Sequence, residues 1–377
     1  MALKRDTAET TFHSAWDDRD DWRLATGVSL HGHTWNSKEG LGFLPGTFAR
    51  SRILTGLLRR LEASFLKKWK TPLDYDRGYW TSPVSPEAAY ALETEQIARH
   101  GMQALVSITD HDEIAGCDDI VSLEWTVPYE SAIFHVGVHH LPKAEASNYL
   151  AMVKNVTANP GDAAALRHAL AEIDSLPNSL IVLNHPLVDQ GRIGREIHAS
   201  LVYDFLRTYG SYVHALEING LQPWSVNQRV FAIANDFGLP LVAGGDRHGF
   251  EPNGAINVTN AETFDDFASE IRKEKKSRIV LMPQYREPLV VRYTTNAETI
   301  TADYPELAGR VHWHDRVFYH CPDGVTRPVT DMVAKSHSRM IATTNVTLGV
   351  LRSVNVLARP IAPLFSQSSL APMARVE

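Results

Sequence analysis

Residues 25–34 read ATGVSLHGHT and place two histidines, His31 and His33, directly after a short apolar run. A short apolar run that contains β-branched residues is typical of a buried strand. Histidines two positions apart at a strand end direct both imidazoles toward a common point. This segment therefore predicts a strand that carries two candidate ligands at its end.

The same arrangement recurs along the chain as far as residue 248. Five further apolar runs are followed or interrupted by acidic or imidazole side chains: His111 after 104–108, Glu124 after 120–123, His135 within 132–138, His185 after 180–184, and Asp246 with His248 after 241–245. Taken singly, each histidine is more typical of a capping or core residue than of a ligand. Their repeated position at strand ends is what indicates a common site.

Helical patterns separate these strand-like runs, at about residues 47–70, 86–100, 163–174, 196–209, 225–237 and 261–273. One of them begins with Ser85 followed by Pro86, a capping residue with proline at the first helical position. Alternating strands and helices predict parallel βα units, here in sufficient number for a barrel. Functional residues of such barrels lie at the carboxyl ends of the strands, where most of these side chains fall.

A shared cation explains why so many ionisable groups would converge. Burying a polar group without a partner costs several kcal/mol, roughly 2–7 in model transfers. Imidazoles mixed with carboxylates suit Zn²⁺, Mn²⁺ or Fe²⁺, whereas Ca²⁺ prefers a cage of oxygen atoms. The sequence therefore predicts a site for divalent metal ions.

Composition limits the classes of partner and the location that this protein can have. The chain has 377 residues, 44% of them hydrophobic and 21% charged, with a formal net charge of -7, as in ordinary globular proteins. Mild acidity argues against a stable nucleic-acid partner but leaves room for a small anionic substrate. Two distant cysteines, Cys117 and Cys321, form no disulfide framework. With neither a leader pattern nor an apolar stretch of membrane-spanning length, the expectation is a cytoplasmic protein without a membrane partner.

The motifs, in this order, resemble those of the PHP (polymerase and histidinol phosphatase) family of metal-dependent phosphoesterases. The matching segments are His31-Gly32-His33-Thr34, Thr109-Asp110-His111-Asp112, Glu124 with His135, Asn184-His185-Pro186 and Gly244-Gly245-Asp246-Arg247-His248. The resemblance implies an α/β fold, a distorted (β/α)7 TIM-like barrel of the PHP type over residues 25–276. It also implies two or three divalent metal ions in a cleft at the strand ends.

Ligands for each metal are implied by the same resemblance. The first metal would be held by His31, His33, Glu124 and Asp246. The second would share Glu124 as a bridge and add His135 and His185. The third would be held by His111 and His248.

The segment after His33 departs from the common family pattern. Many members have Ser-Asp-Gly there, whereas this chain has Ser37-Lys38-Glu39-Gly40. Either Glu39 completes the third site, or Lys38 replaces the charge of a cation and two metals bind.

The predicted function is hydrolysis of a small phosphomonoester or nucleotide by a hydroxide that bridges two metals. The expected catalytic residues are Glu124, Asp246, His248 and Arg247. Guanidinium and ammonium groups bind phosphate oxygens, so Arg247, Arg192 and Lys38 are the candidate substrate-binding residues, although loop cations are often only solvated. Alternatives are a phosphodiester, phosphotriester or non-phosphate substrate, or a non-catalytic structural PHP module.

Three regions lie outside the repeating strand and helix pattern. Residues 1–24 are expected to form an N-terminal extension, and residues 41–84 a helical insertion. Residues 277–377 are expected to form an accessory region that packs on the barrel or mediates homo-oligomer formation. Within it the sequence predicts strands at 278–282 and 288–294, a hairpin around Asp323 and Gly324, and a helix or strand pair at 340–358.

Overall fold

The computed structural model describes residues 8–16, 22–49, 52–117 and 120–332. Part of the predicted N-terminal extension and residues 333–377, including the predicted element at 340–358, lie outside the described residues. The strands are β1 (Glu9–Ser14), β2 (Thr26–Gly32), β3 (Glu39–Gly40), β4 (Gly78–Trp80), β5 (Gln103–Ser107), β6 (Ala115–Cys117), β7 (Ile120–Tyr129), β8 (Ala132–His139), β9 (Leu180–Asn184), β10 (Ala215–Asn219), β11 (Leu241–Arg247), β12 (Ala255–Thr259), β13 (Lys276–Leu281), β14 (Val317–His320) and β15 (Thr326–Pro328).

Helices separate most of these strands. They are α1 (Leu44–Phe48), α2 (Arg52–Trp69), α3 (Pro86–Ala98), α4 (Ala146–Ala158), α5 (Ala163–Asp174), α6 (Arg195–Tyr209), α7 (Trp224–Phe237), α8 (Phe264–Ser269), α9 (Leu289–Thr301) and α10 (Val329–Met332). Among these described helices none is long and apolar enough to cross a membrane. The predicted strands before His31, His111, Glu124, His185 and Asp246 are confirmed, and the fold is mixed α/β.

Eleven strands form the main sheet, in the order β1-β13-β12-β2-β11-β10-β9-β8-β7-β6, with β5 paired to β2. The pairs β2 with β5, β2 with β11, β11 with β10 and β10 with β9 are parallel, as the βα pattern predicts. Strand β8 instead runs antiparallel to both β7 and β9. The connection from β7 to β8 contains only Glu130 and Ser131, and so short a link joins only antiparallel neighbours.

The described strands follow an open path, and a closed barrel of ladders is not present among them. A single isolated parallel bridge joins His111, which follows β5, to Glu124 of β7. The amide of Glu124 also donates to the carbonyl of Asp110 at 3.0 Å. The (β/α)7 barrel therefore remains a prediction, while the bridge brings two candidate ligands together.

Helices bury apolar side chains against the main sheet and so hold its strands in position. Leu170 of α5, Phe205 of α6 and Val230 of α7 belong to one buried cluster with Val136 and Leu183 of the strands. Fully burying one such side chain stabilises the fold by about 1.5–3 kcal/mol. This packing fixes the strand ends that carry the histidines.

A second, small sheet has the order β15-β14-β4-β3 and is antiparallel throughout. Strand β4 comes from the predicted insertion at 41–84, β3 lies just before it, and β14 and β15 come from the predicted accessory region. Phe65, Tyr319 and Cys321 form a buried apolar cluster between these two segments. The predicted hairpin around Asp323 and Gly324 is confirmed by the pairing of β14 with β15.

Two expectations about the regions outside residues 25–276 differ from the structure. The predicted N-terminal extension contributes β1, which pairs in parallel with β13 and so enters the main sheet. Residues 288–294, predicted as a strand, form the first turns of α9. Its β-branched residues favour a strand locally, but Val291 and Thr295 are both buried, one helical turn apart, so tertiary packing overrides the propensity.

Candidate metal centre

Three of the candidate ligands lie at strand ends with a left-handed backbone. The φ angles are 63° at His31, 26° at His185 and 52° at Asp246. Such conformations cost on the order of 1–3 kcal/mol each for a residue other than glycine, and they concentrate at functional sites. The strand ends are therefore bent in the way that a convergent site requires.

Glu124 lies at the centre of the site. It is fully buried in the middle of β7, rather than at the end of a strand as the sequence predicts, because β7 continues into a long hairpin with β8. Five histidine nitrogens lie near its two carboxylate oxygens: His31 Nε2 at 3.0 Å, His111 Nδ1 at 3.1 Å, His33 Nε2 at 3.3 Å, His185 Nε2 at 3.4 Å and His135 Nδ1 at 3.5 Å.

Asp246 approaches the same histidines from β11. Its Oδ1 lies 3.3 Å from His33 Nε2 and 3.7 Å from His31 Nε2, and its Oδ2 lies 4.0 Å from His185 Nε2. The Asp246 side chain is 25% exposed, whereas Glu124 has no exposure. Asp246 therefore lies on the solvent side of the cluster.

Glu39 and His248 complete a second group of donors beside His33 and His111. Glu39 Oε1 lies 3.0 Å from His248 Nε2, and Glu39 Oε2 lies 3.2 Å from His111 Nε2. The His33 ring stacks between those of His111 and His248, with ring centres 4.7 and 4.2 Å apart. Glu39 is thus placed for the role that the sequence left open between it and Lys38.

The donor atoms form four overlapping groups, in each of which all ligand atoms lie within 4.8 Å of one another. The groups are His31, His33 and Asp246; His31, Glu124 and His185; His111, Glu124 and His135; and His33, Glu39, His111 and His248. All nine sequence-predicted ligands belong to at least one group. The structure therefore brings together residues that are more than 200 positions apart.

Hydrogen bonding leaves some of these atoms unsatisfied, and the donor set fits cations. Glu124 Oε2, His135 Nδ1 and His248 Nε2 are buried without a hydrogen-bond partner in the described part of the chain. The nearest histidine nitrogens or carboxylate oxygens lie 3.0–3.5 Å from these atoms, but not with the geometry of a hydrogen bond. Atoms that face a common point at such distances, with imidazole and carboxylate chemistry, suit Zn²⁺, Mn²⁺ or Fe²⁺.

Electrostatics keep the central carboxylate ionised. Burial by itself would raise the pKa of Glu124, but His31, His111 and His135 hold it well below its ordinary range. Burial would lower the pKa of His31, yet Glu124 and Glu217 outweigh burial and hold it well above its ordinary value. At His135 burial dominates, and the pKa of the imidazole is lowered. An ionised carboxylate is the form that binds a cation.

Glu217 is a functional candidate that the sequence interpretation missed. It is buried on β10, and its Oε2 lies 2.5 Å from His31 Nδ1, while Asn219 Nδ2 donates to its Oε1 at 2.8 Å. A carboxylate on the second nitrogen of a ligand histidine fixes the tautomer and orientation of the ring. The signal was an acidic residue inside the apolar run 215–219, a strand that the sequence analysis left unassigned.

Other polar residues near the ligands have structural partners. Asn184 donates to Glu124 Oε1 at 2.8 Å, which positions the carboxylate rather than the neighbouring His185. Asp110 accepts from the amide and hydroxyl of Thr34 at 2.6 and 2.7 Å, and thereby fixes the turn after His33.

The three predicted substrate-binding cations are less closely associated with the cluster. The Arg247 guanidinium is buried and pairs with Glu251 at 3.4 Å, its Nε has no hydrogen-bond partner among the described residues, and its catalytic and phosphate-binding roles stay predictions. Lys38 is exposed, with its Nζ 5.4 Å from the centre of the Tyr79 ring. Arg192 is exposed and packs against Gly46 of α1.

Comparisons with known proteins give little beyond this geometry. No family model matches the chain, and no curated protein matches it. One similar solved structure, from Bifidobacterium adolescentis, is named as a candidate metal-dependent phosphoesterase. The two share 17% sequence identity and a TM-score of 0.31 over 50% of this chain and 91% of the other. A TM-score of this size does not establish a shared fold.

Proposed function

We propose that this protein is a metal-dependent hydrolase that acts on phosphate esters. The observation that carries the proposal is the convergence of histidines from the end of β2, from β8 and from the end of β9 on the buried carboxylate of Glu124 in β7, with Asp246 of β11 facing the same histidines. Buried ionisable groups at this density, several without hydrogen-bond partners among the described residues, are best explained by bound cations.

We propose an assignment to three cations, in which the donor group of Glu39 supports the third site and the groups that contain Glu124 or Asp246 each match part of the first two. His31, His33, Glu124 and Asp246 would hold the first, and Glu124, His135 and His185 the second. His111, His248 and Glu39 would hold the third, next to His33. Glu124 would bridge the first two because its oxygens face histidines of both groups.

The residues of the candidate site have definable parts in the reaction. Paired divalent cations would supply an activated water and neutralise charge on the phosphoryl group. Glu124 would fix the separation of its histidine partners, and Glu217 would hold His31 in one orientation. Asp246 would orient the ligands of the first cation from the solvent side, where we propose that the substrate enters. Phosphoryl transfer depends mostly on such positioning and charge neutralisation.

We further propose that β2, β5 and β7–β11 form a distorted (β/α)7 barrel with the site at its mouth. The isolated bridge between His111 and Glu124 supports this arrangement, because it links the two strands that flank the open side of the ring. A small phosphomonoester or nucleotide is the proposed substrate, with Lys38 and Arg192 as exposed cations for its phosphate.

Metal analysis followed by a substrate panel tests the proposal. The purified chain should contain two or three Zn²⁺, Mn²⁺ or Fe²⁺ ions per molecule. After chelation and reloading with Mn²⁺, it should release phosphate from monoesters faster than from diesters. His185→Gln should lose metal and activity, whereas His168→Gln, which changes an exposed histidine paired with Glu172, should retain both.

Other outcomes of the same experiment favour the alternatives. Bound metal with preference for a diester, a triester or a non-phosphate ester would keep the metal site and change the substrate class. A chain that binds no metal and hydrolyses nothing on the panel would contradict the proposal and favour a structural module.

A further inference from the structure

Glu39 differs from the other candidate ligands in the part of the fold that carries it. The other eight lie on strands of the main sheet or within four residues after the end of such a strand. Glu39 lies on β3 of the small sheet, where it pairs with Trp80 of β4, and β4 in turn pairs with β14. Its position is therefore set by β14, far along the chain, together with Ser37 nearby, whose hydroxyl donates to Glu39 Oε1 at 2.6 Å.

The small sheet has its own apolar support. Its cluster around Phe65, Tyr319 and Cys321 is separate from the clusters of the main sheet. Packing within that cluster stabilises the small sheet internally but contributes nothing to its attachment at the metal site.

The small sheet and the residues after it contact His248 of the main sheet through polar and aromatic groups rather than aliphatic ones. Glu39 faces the His248 ring nitrogen at 3.0 Å, the ring centre of Trp80 lies 5.3 Å from that of His248, and Ser82 Oγ donates to the His248 carbonyl at 2.7 Å. Each such polar contact contributes about 0.5–1.5 kcal/mol. A cation shared by Glu39 and the histidines would add strong attraction there.

We infer that the third cation joins the small sheet to the main sheet, because its ligands come from both: Glu39 from one, and His33, His111 and His248 from the other. This inference rests on the proposed function, since it requires that cations bind. Coupling of this kind is reciprocal. A docked small sheet raises the affinity of the third site, and a bound cation stabilises the docked sheet.

The coupling has a consequence for substrate recognition. The small sheet also carries Trp80 beside His248 and Tyr79 beside the Lys38 ammonium. The Trp80 ring forms a wall next to the cluster, whereas Tyr79 points to the opposite face of β4 and stacks on Phe318. The third cation thus determines whether that wall is in place, which links metal occupancy to the shape of the site.

Hydrogen–deuterium exchange of the full chain, with and without Mn²⁺, tests the inference. A peptide that spans 33–40 reports on the junction of the two sheets, where the His33 amide donates to the Arg247 carbonyl at 2.7 Å and the Trp35 amide to the Val84 carbonyl at 2.8 Å. If separation of the two sheets releases the cation, free Mn²⁺ at about 100 times its Kd makes that separation about a hundredfold rarer. The amide exchange of this peptide should then slow by about the same factor. In Glu39→Gln this slowing should disappear, and the metal content should fall by one ion per chain.

Asp76→Asn is the matched control, because Asp76 is an exposed carboxylate of the same region that belongs to none of the four donor groups. It should show the parent's exchange and metal content. Protection of 33–40 that is equal in the parent and in Glu39→Gln would overturn the inference. So would a parent that binds cations with no change in 33–40, a result that holds even if Glu39→Gln does not fold. A parent that binds no cation would overturn the proposed function as well.

Discussion

The two ends of the main sheet contain similar side chains in different arrangements. At the amino-terminal ends of β9 and β10, His214 Nδ1 accepts from the Ile181 amide at 2.9 Å, and its Nε2 lies 2.8 Å from Asp174 Oδ1. Arg272 donates to the same carboxylate at 3.0 Å. At the carboxyl ends, five histidines face Glu124, and one of its oxygens has no hydrogen bond within the described residues.

The comparison shows how hydrogen-bond saturation separates a structural polar cluster from a candidate metal site. Burial, with the Arg272 charge, lowers the pKa of His214 to about 4, so its neutral ring serves as a fixed hydrogen-bonding group. Burial would also lower the pKa of His111, but Glu39 and Glu124 raise it to about 10. One cluster is complete as it stands, whereas the other has negative charge and lone pairs that converge.

The largest expected effect is at the carboxyl end, in Glu124→Gln. The substitution preserves size but removes the charge that five histidines face, so metal stabilisation worth several kcal/mol is lost. The rate of phosphate-ester hydrolysis should fall by at least about 10³-fold. Elemental analysis should show lost metal, with an unchanged circular dichroism spectrum.

A control at the other end of the sheet sharpens that test. Asp174→Asn should lower the stability of the chain while the metal content and rate stay at the parent's values. Parent-level activity in Glu124→Gln would mean that the carboxyl-end cluster is structural, like its counterpart.

The second effect is a pH dependence at the amino-terminal end. The folded pKa of His214 is below the unfolded value of about 6.5, so the unfolded chain binds more protons as the pH falls. The stabilisation is present above pH 6.5 and is lost as the pH falls toward 4, by about 3 kcal/mol in all. Urea unfolding of the metal-free parent should show this loss relative to His214→Gln. Parallel pH profiles in the two proteins would contradict the assignment.

The third effect is the response to cations. Ligands that bind only the folded chain stabilise it, by about 2.7 kcal/mol at 100 times Kd. Mn²⁺ should therefore raise the melting temperature of the chelated parent, and EDTA should reverse the change. His185→Gln should respond less, whereas Asp174→Asn should respond fully. An equal response in both variants would place the bound ion outside the cluster.

The smallest effect is expected in Glu217→Gln, which changes a residue that contacts a ligand rather than the cation. Loss of such a carboxylate usually lowers metal affinity by about 10–100-fold. Competition with a fluorescent chelator would measure the change, and Asn219→Asp, which alters the partner of the other Glu217 oxygen, provides a comparison. Unaltered affinity in Glu217→Gln would show that His31 keeps its orientation without this contact.

Much of the site was readable from the chain because its signals are local. His31, His185 and Asp246 each follow a short apolar run, and each run is a strand of the main sheet. Glu217 was missed because its strand, β10, was not recognised, and an acidic residue within a strand is not by itself a ligand signal. The direction of β8 was also missed, since it depends on the two-residue link to β7.

The sequence by itself determined which side chains are available for metal binding and that most of them occur at or near strand ends, because strand propensity and chemical type belong to each residue and its neighbours. Only the tertiary structure decided that Glu39 arrives on a separate sheet, that Arg247 pairs with Glu251, and that residues 288–294 form a helix. The first and third outcomes depend on packing between segments far apart in the chain, and the second on a loop conformation that brings together residues four positions apart. Such contacts are specified by shape and burial in three dimensions, which no local pattern encodes.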